Sequence, residues 1–241
     1  MQTDDLSRRH AMWIAKNVAR TDQSPLTASD IMALEATFEP RRVEAGTVLA
    51  STGSEADAVH IVRDGRVHLA IRAAGTGRQT IGIVGPGCVV GDVPILTQEL
   101  TSSDAYADVD TTLLTADRTD FVNMLRESPT LSIRWATSMA QRIERQQART
   151  VTLLTKDLAA QIATILWEFR KEEEGVWRVR MPHQTIAHLL GARRQSVSRV
   201  LGQLRREGLV QSRYGSVELT DLQGIASLAG MKTVEDLAQS A

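Results

Sequence analysis

The feature that most constrains this chain is residues 181–210, MPHQTIAHLLGARRQSVSRVLGQLRREGLV. Ile186, Leu189 and Leu190 fall at i, i+3 and i+4, the spacing of one apolar helical face. Gly191 follows, where a helix end favours a residue that tolerates positive φ. A second periodic run puts Val197, Val200, Leu201 and Leu204 on one face. Its other face holds Arg194, Gln195, Ser198 and Arg199, with Arg205 and Arg206 near the end. Two short helices joined through a glycine turn, the second basic on its free side, predict a helix-turn-helix. An ordinary solvated helical hairpin has the same apolar pattern, so charge decides between them. Residues 178–213 hold eight arginines and one acid, Glu207, whereas the whole 241-residue chain carries only −1. A basic island in a near-neutral chain predicts double-stranded DNA as the partner.

The rest of the chain narrows the class. A hydrophobic fraction of 42% with 24% charged residues is globular, and the length admits two domains with real cores. No apolar run approaches the ~20 residues of a membrane span, and the first residues lack a signal-peptide core, so a cytoplasmic protein is expected. One cysteine, Cys88, excludes an internal disulfide and a cysteine-rich metal site. It falls in the turn Gly85-Pro86-Gly87-Cys88, as a structural filler or, in the alternative, a redox-responsive thiol. His60 and His68 lie on predicted strands as packing residues. His183 and His188 share no helical face and make no metal pair. With no phosphate-loop glycine run, metal-spaced cluster or nucleophile motif, the chain is not expected to be an enzyme. The competing class, a cyclic-nucleotide-binding enzyme or kinase-like regulatory subunit, would need one of these.

Taken in order, residues 6–18 predict a short helix that packs on the body or dangles. Residues 27–38 predict a helix with Thr27 and Asp30 as its capping box. Between residues 41 and 117 the texture becomes short Val/Ile-rich runs punctuated by glycines, the pattern of a compact antiparallel roll. Asp64-Gly65 reads as a hairpin turn between residues 59–62 and 67–71, and residues 74–77 as another hairpin tip. A short helix at residues 118–125 precedes Pro129. A long amphipathic helix then begins near residue 130, either a buried spacer or a dimer seam; the seam is the expected role, with Leu131, Trp135, Met139, Ile143 and Leu154 along it and Arg142, Arg145 and Arg149 solubilising its edges. Asp157 predicts an N-cap for a helix over residues 158–171. A strand at 176–180, the helix pair and a hairpin at 209–219 turning at Tyr214-Gly215 make a winged helix, with Arg213 placed to meet a phosphate.

With these residues in place, the chain resembles the Crp/Fnr family of bacterial transcription regulators. Gly46, Gly53, Gly65, Gly87 and Gly91 resemble the glycine framework of the family's cyclic-nucleotide-binding roll. The roll, long helix, hinge aspartate and winged helix come in family order over roughly residues 25–222. The resemblance implies an α+β fold: an N-terminal extension (1–24), a sensor β-roll of jelly-roll type (25–128), a dimerisation helix and hinge (129–156), a winged helix-turn-helix (157–222) and a tail (223–241). It implies a homodimer that reads a palindromic operator, with RNA polymerase as a candidate further partner. Arg194, Gln195 and Arg199 match the positions that read base edges. The arginines suit guanine O6 and N7, and Gln195 stands where glutamate is common. Arg193, Ser196, Ser198 and Arg213 complete the expected DNA-binding set.

The same resemblance implies an effector pocket at Gly91, Asp92, Val93, Thr101, Ser102, Gln146 and Gln147, and it departs from the family there. Asp92 replaces a glutamate, and Thr101 stands where the family has the phosphate-binding arginine. Residues 79–117 contain six acids and no lysine or arginine. A buried cyclic phosphate would lack a counter-charge, which costs several kcal/mol. Arg142 or Arg145 is the substitute cation, although surface solvation is the expected role of both. Cyclic AMP therefore stands as one candidate effector beside another small molecule. The alternative is a constitutive DNA-binding protein with a purely structural roll.

Overall fold

The structure, a computed structural model, describes residues 2–18, 26–73, 77–213 and 215–231. Of the expected turns, Ala74, Gly75, Thr76 and Tyr214 lie outside the described residues, as does the tail after residue 231. The chain divides into two units, Met1–Glu144 and Arg145–Ala241.

The first unit runs α1 (Gln2–Asn17), α2 (Ala28–Thr37), β1 (Glu39–Val43), β2 (Val48–Ala50), β3 (Ala58–Asp64), β4 (Val67–Ala73), β5 (Gly77–Val84), β6 (Val89–Val90), α3 (Asp92–Thr97), β7 (Asp104–Ala107), β8 (Thr111–Asp117), α4 (Arg118–Glu127) and the start of α5 (Pro129–Thr155). Its strands form two antiparallel four-stranded sheets, ordered β1-β8-β3-β6 and β2-β7-β4-β5. Val43, Val62, Val90 and Leu113 of one meet Val67, Ala105 and Ala107 of the other in a shared core. Two sheets enclosing one apolar layer make the expected roll.

Asp64-Gly65 does not close a hairpin. β3 pairs with β6 and β8, and β4 with β5 and β7, so this turn carries the chain from one sheet to the other. Gly65 permits the crossing at φ +95°, where a Cβ would lie 2.5 Å from Thr111 Oγ1. A two-residue turn between alternating runs looks the same in sequence whether or not the runs pair.

Helix α1 packs rather than dangles. Ala11, Ile14, Ala15 and Val18 join Leu34, Phe38, Phe121, Leu131 and Trp135 in a second core, and the Arg63 guanidinium lies 4.4 Å from the Trp13 ring centre. The capping box of α2 is formed: Asp30 N donates to Thr27 Oγ1 at 3.2 Å and Thr27 N to Asp30 Oδ2 at 2.8 Å.

The expected dimer seam needs correction. Leu131 and Trp135 are 0% and 2% exposed inside their own chain's core, and Met139 packs against its edge. Ile143 and Leu154 are 57% and 80% exposed. Every fourth position drifts around a 3.6-residue helix, so residues 131–154 cross from the buried face to the open one. The open stripe is Ile133, Ala136, Ala140, Ile143, Gln147, Thr150 and Leu154, all exposed and spaced alternately by three and four.

The second unit continues with α6 (Leu158–Phe169), β9 (Lys171–Glu173), β10 (Val176–Val179), α7 (His183–Leu190), α8 (Arg194–Arg206), β11 (Val210–Arg213), β12 (Ser216–Leu219) and α9 (Leu222–Ala229). Asp157 caps α6, its Oδ1 accepting from Ala160 N at 2.8 Å. The helix stops two residues short of expectation because Lys171–Glu173 pairs with β10 as an added strand. The turn between them holds Glu174 and Gly175 at φ 52° and 78°. Two successive positive φ values are what a tight hairpin turn requires. The sheet, ordered β11-β12-β10-β9, packs with α6 to α9 around Ile162, Leu166, Ile186, Val197, Leu201, Val217 and Ile225.

Candidate nucleic-acid interface and sensor site

Helix α7 ends at Gly191, whose φ of 61° reverses the chain, and Arg149 Nη2 donates to the open Leu189 carbonyl at 2.8 Å. The turn delivers α8 with Val197, Leu201 and Leu204 buried. Arg193, Arg194, Gln195, Ser198 and Arg199 are exposed, and Ser196 is half-buried beneath them. A single face therefore presents two planar guanidinium forks and an amide, groups that pair with base edges. His183, in the first turn of α7, reaches Ser198 Oγ through Nδ1 at 3.0 Å. Burial, and then the neighbouring Arg194 charge, hold its pKa below the usual histidine value.

The structure redistributes the charge that the sequence assigned to this region. Arg178 bridges Glu173 and Glu218, Arg180 pairs with Glu173, and Arg213 pairs with Glu218. Both glutamates lie just outside the basic window and return to it through sheet pairing. Among the described residues no carboxylate pairs with Arg193, Arg194, Arg199, Arg205 or Arg206. The uncompensated positive charge thus sits on α8 and its leading turn, with Arg213 half neutralised on the wing.

In the roll, Gly91 adopts φ +93° at the start of α3, and a Cβ there would lie 2.4 Å from the Ala58 carbonyl oxygen. This turn aims Asp92 inward, 1% exposed. Trp135 Nε1 donates to Asp92 Oδ2 at 3.0 Å and Arg142 Nη1 to Oδ1 at 3.2 Å. Arg142 is therefore the partner of a buried carboxylate, not a solubilising edge residue. Arg145 remains exposed. Val93 is 46% exposed, Thr101 is buried with Oγ1 lacking a partner among the described residues, and Ser102, Gln146 and Gln147 are exposed.

The expectation that the acidic stretch lacks compensation is also overturned. Asp92 faces Arg142, Asp104 faces Arg78 at 3.2 Å and Arg72 at 3.9 Å, Asp108 faces Arg66, and Asp110 faces Arg42 at 3.7 Å. Every one of these arginines comes from outside residues 79–117, so a count along the sequence misses them. Two hydrogen bonds from Thr52, through its amide and its hydroxyl, are the first cause that lowers the Asp104 pKa. Hydrogen bonding to His68 is the first cause that holds Asp108 down to about 2.

The histidines are built into the roll. His60 Nδ1 lies 3.0 Å from Thr115 Oγ1, and burial, with a smaller effect of Arg41, lowers its pKa to about 4. His68 stands between Asp108, Tyr106 and Thr80. Cys88 is half-buried in its turn. No helix among the described residues is long and apolar enough to cross a membrane.

An antiparallel β-roll and a winged helix-turn-helix in one chain, linked in sequence by a long helix, define a class: helix-turn-helix regulators that carry an additional β-roll domain. Residues 40–128 match the cyclic nucleotide-binding domain and residues 160–228 the Crp-like helix-turn-helix domain. The chain is 33% identical over 221 residues to the HTH-type transcriptional regulator Cmr of Mycobacterium tuberculosis, covering 92% of this chain and 88% of that protein. It is 28% identical to the cyclic AMP receptor protein of Thermus thermophilus, over 80% of this chain and 88% of the relative. The crystal structure of a CRP/FNR-family transcriptional regulator from Thermus thermophilus superposes with a TM-score of 0.69 at 28% identity, over 81% of this chain and 100% of that one. The chain belongs to the Crp/Fnr family of transcription regulators.

Proposed function

We propose that the protein acts as a homodimer that recognises a palindromic DNA site through Arg194, Gln195 and Arg199. The observation that carries this reading is the exposed face of α8, where these side chains stand together and the arginines have no carboxylate partner among the described residues. Arg193, Ser196, Ser198 and Arg213 are its supporting phosphate and backbone contacts. The exposed stripe from Ile133 to Leu154 along α5 supplies the self-complementary face, with Gln147 as a polar position that sets register. Gln195 accepts and donates, so it reads its base pair differently from a glutamate.

The roll is a cyclic-nucleotide-type domain with an altered cassette. Thr101 and Ser102 bring no positive charge, and Arg142 is engaged by Asp92. The same pair supports a second reading, in which the roll is held together without an effector and DNA binding is constitutive. Selection by the full-length protein from a randomised duplex pool tests the function. Enrichment of a two-fold symmetric site is expected, and a pool that stays random overturns the proposal.

A further inference from the structure

The solvent face of the wing sheet holds a cavity of about 350 Å³ lined by Arg178, Arg180, Arg213, Gly215, Ser216 and Glu218. Strand alternation explains its composition. Val179, Val217 and Leu219 point into the core, so their neighbours Arg178, Ser216 and Glu218 point out. Arg178 lies directly across from Glu218 in the β10–β12 register, and Arg213 across from Ser216 in the wing hairpin. The Glu218 carboxylate uses both oxygens, Oε1 toward Arg178 Nη2 at 2.7 Å and Oε2 toward Arg213 Nε at 3.2 Å. Glu173 accepts from Arg178 through Oε2 and from Arg180 through both oxygens. Three guanidinium groups thus converge on one open hollow, organised by two carboxylates. Arg178 and Arg213 grip a group with the charge and oxygen spacing of a phosphate edge.

We propose that Glu218 masks the phosphate contact of Arg213 in the free protein: the Arg213 edge of this hollow takes a backbone phosphate of bound DNA, and the Glu218 carboxylate occupies that guanidinium until it does. The inference rests on the DNA-binding reading above. DNA is the favoured source because β11 leaves α8 after a short turn, so the wing and the recognition helix belong to one unit. On binding, the phosphate displaces the carboxylate from Arg213, the more exposed of its two partners at 56% against 26% for Arg178. Glu218 then limits affinity by competing with the DNA for the same cation.

The test is DNA affinity of full-length wild type, Glu218→Gln, Arg213→Gln and the double variant on one duplex across a salt series. Thermal melts confirm that each variant is folded, and Glu218→Ala provides a second removal of the charge. Glu218→Gln is expected to tighten binding about two- to fivefold, the scale of one exposed charge contact. It should also steepen the dependence on salt by about one phosphate. Arg213→Gln should weaken binding more in the Glu218→Gln background than in the wild type. Unchanged or weaker binding by both Glu218 variants overturns the proposal, because Glu218 would then merely hold the arginines in place. If the salt dependence does not change and inorganic phosphate at fixed ionic strength instead raises the wild-type melting temperature, the site takes free phosphate and the DNA assignment falls. Failure of the wild type to bind any duplex is a separate outcome, which removes the functional reading itself.

Discussion

Arg142 on α5 and Asp92 at the head of α3 form a two-contact ion pair, and Trp135, two turns earlier on α5, donates to the same carboxylate. The head of α3 is thereby tied to the long helix by groups of the chain itself. A buried charge left without its partner is costly, whereas removing both partners costs less. Asp92→Asn and Arg142→Ala should each lower unfolding stability by about 1–3 kcal/mol. The double variant should lose clearly less than the two combined. Equilibrium denaturation of the four proteins measures this, and simple additivity would show that the pair does not couple.

The same pair bears on effector response. A ligand that binds only the folded state raises stability by RT ln(1 + [L]/Kd). With Arg142 engaged and Thr101 uncharged, saturating cyclic AMP or cyclic GMP should leave the melting temperature within about 1 °C, less than the shift that ~1 kcal/mol of binding would give. A rise of several degrees would mean that Arg142 leaves Asp92 for the phosphate.

His60 makes stability depend on pH. Its folded pKa is about 4 against 6.5 for the ordinary side chain, because burial disfavours the imidazolium. Between these values the unfolded chain binds the proton more readily, so stability falls as pH drops through 6.5 and levels off below about 4. The slope within that window is at most about 1.4 kcal/mol per pH unit. His60→Gln, which can still bond to Thr115, should flatten it. Parallel curves for the two proteins would assign the acid sensitivity elsewhere.

The exposed stripe on α5 is the face proposed to hold two copies together. Ile143→Asp or Leu154→Glu places a charge on a face open in the single chain, so the variants should sediment as folded monomers. Trp135→Ala instead empties a buried site and should cost about 3–5 kcal/mol of stability. Variants at 143 and 154 that remain dimeric would move the interface to another surface.

Much of this architecture is legible in the sequence, because it is written in local chemistry. Gly191, the 197–201–204 stripe, the Thr27 and Asp30 capping box and the Asp157 cap each act within a few residues of themselves. What is not legible depends on pairings across long separations. Asp64-Gly65 carries a hairpin signature, yet β3 finds β8 about fifty residues on. The acids between 79 and 117 look uncompensated until Arg42, Arg66, Arg78 and Arg142 arrive from other elements. The arginines of the wing look uncompensated until Glu173 and Glu218 meet them across strands. The exposed stripe of α5 differs from the expected seam because periodicity shows that a stripe exists, while packing decides which stripe faces the core.

The most direct test of DNA recognition is the affinity of Arg199→Ala for the selected duplex and for its single-base variants, at fixed salt. A loss of about 1–3 kcal/mol is expected on the selected site, with discrimination lost at one symmetric pair of positions and kept elsewhere. Uniformly weaker binding with the base preferences of the wild type intact would contradict it, and would reduce Arg199 to a backbone contact.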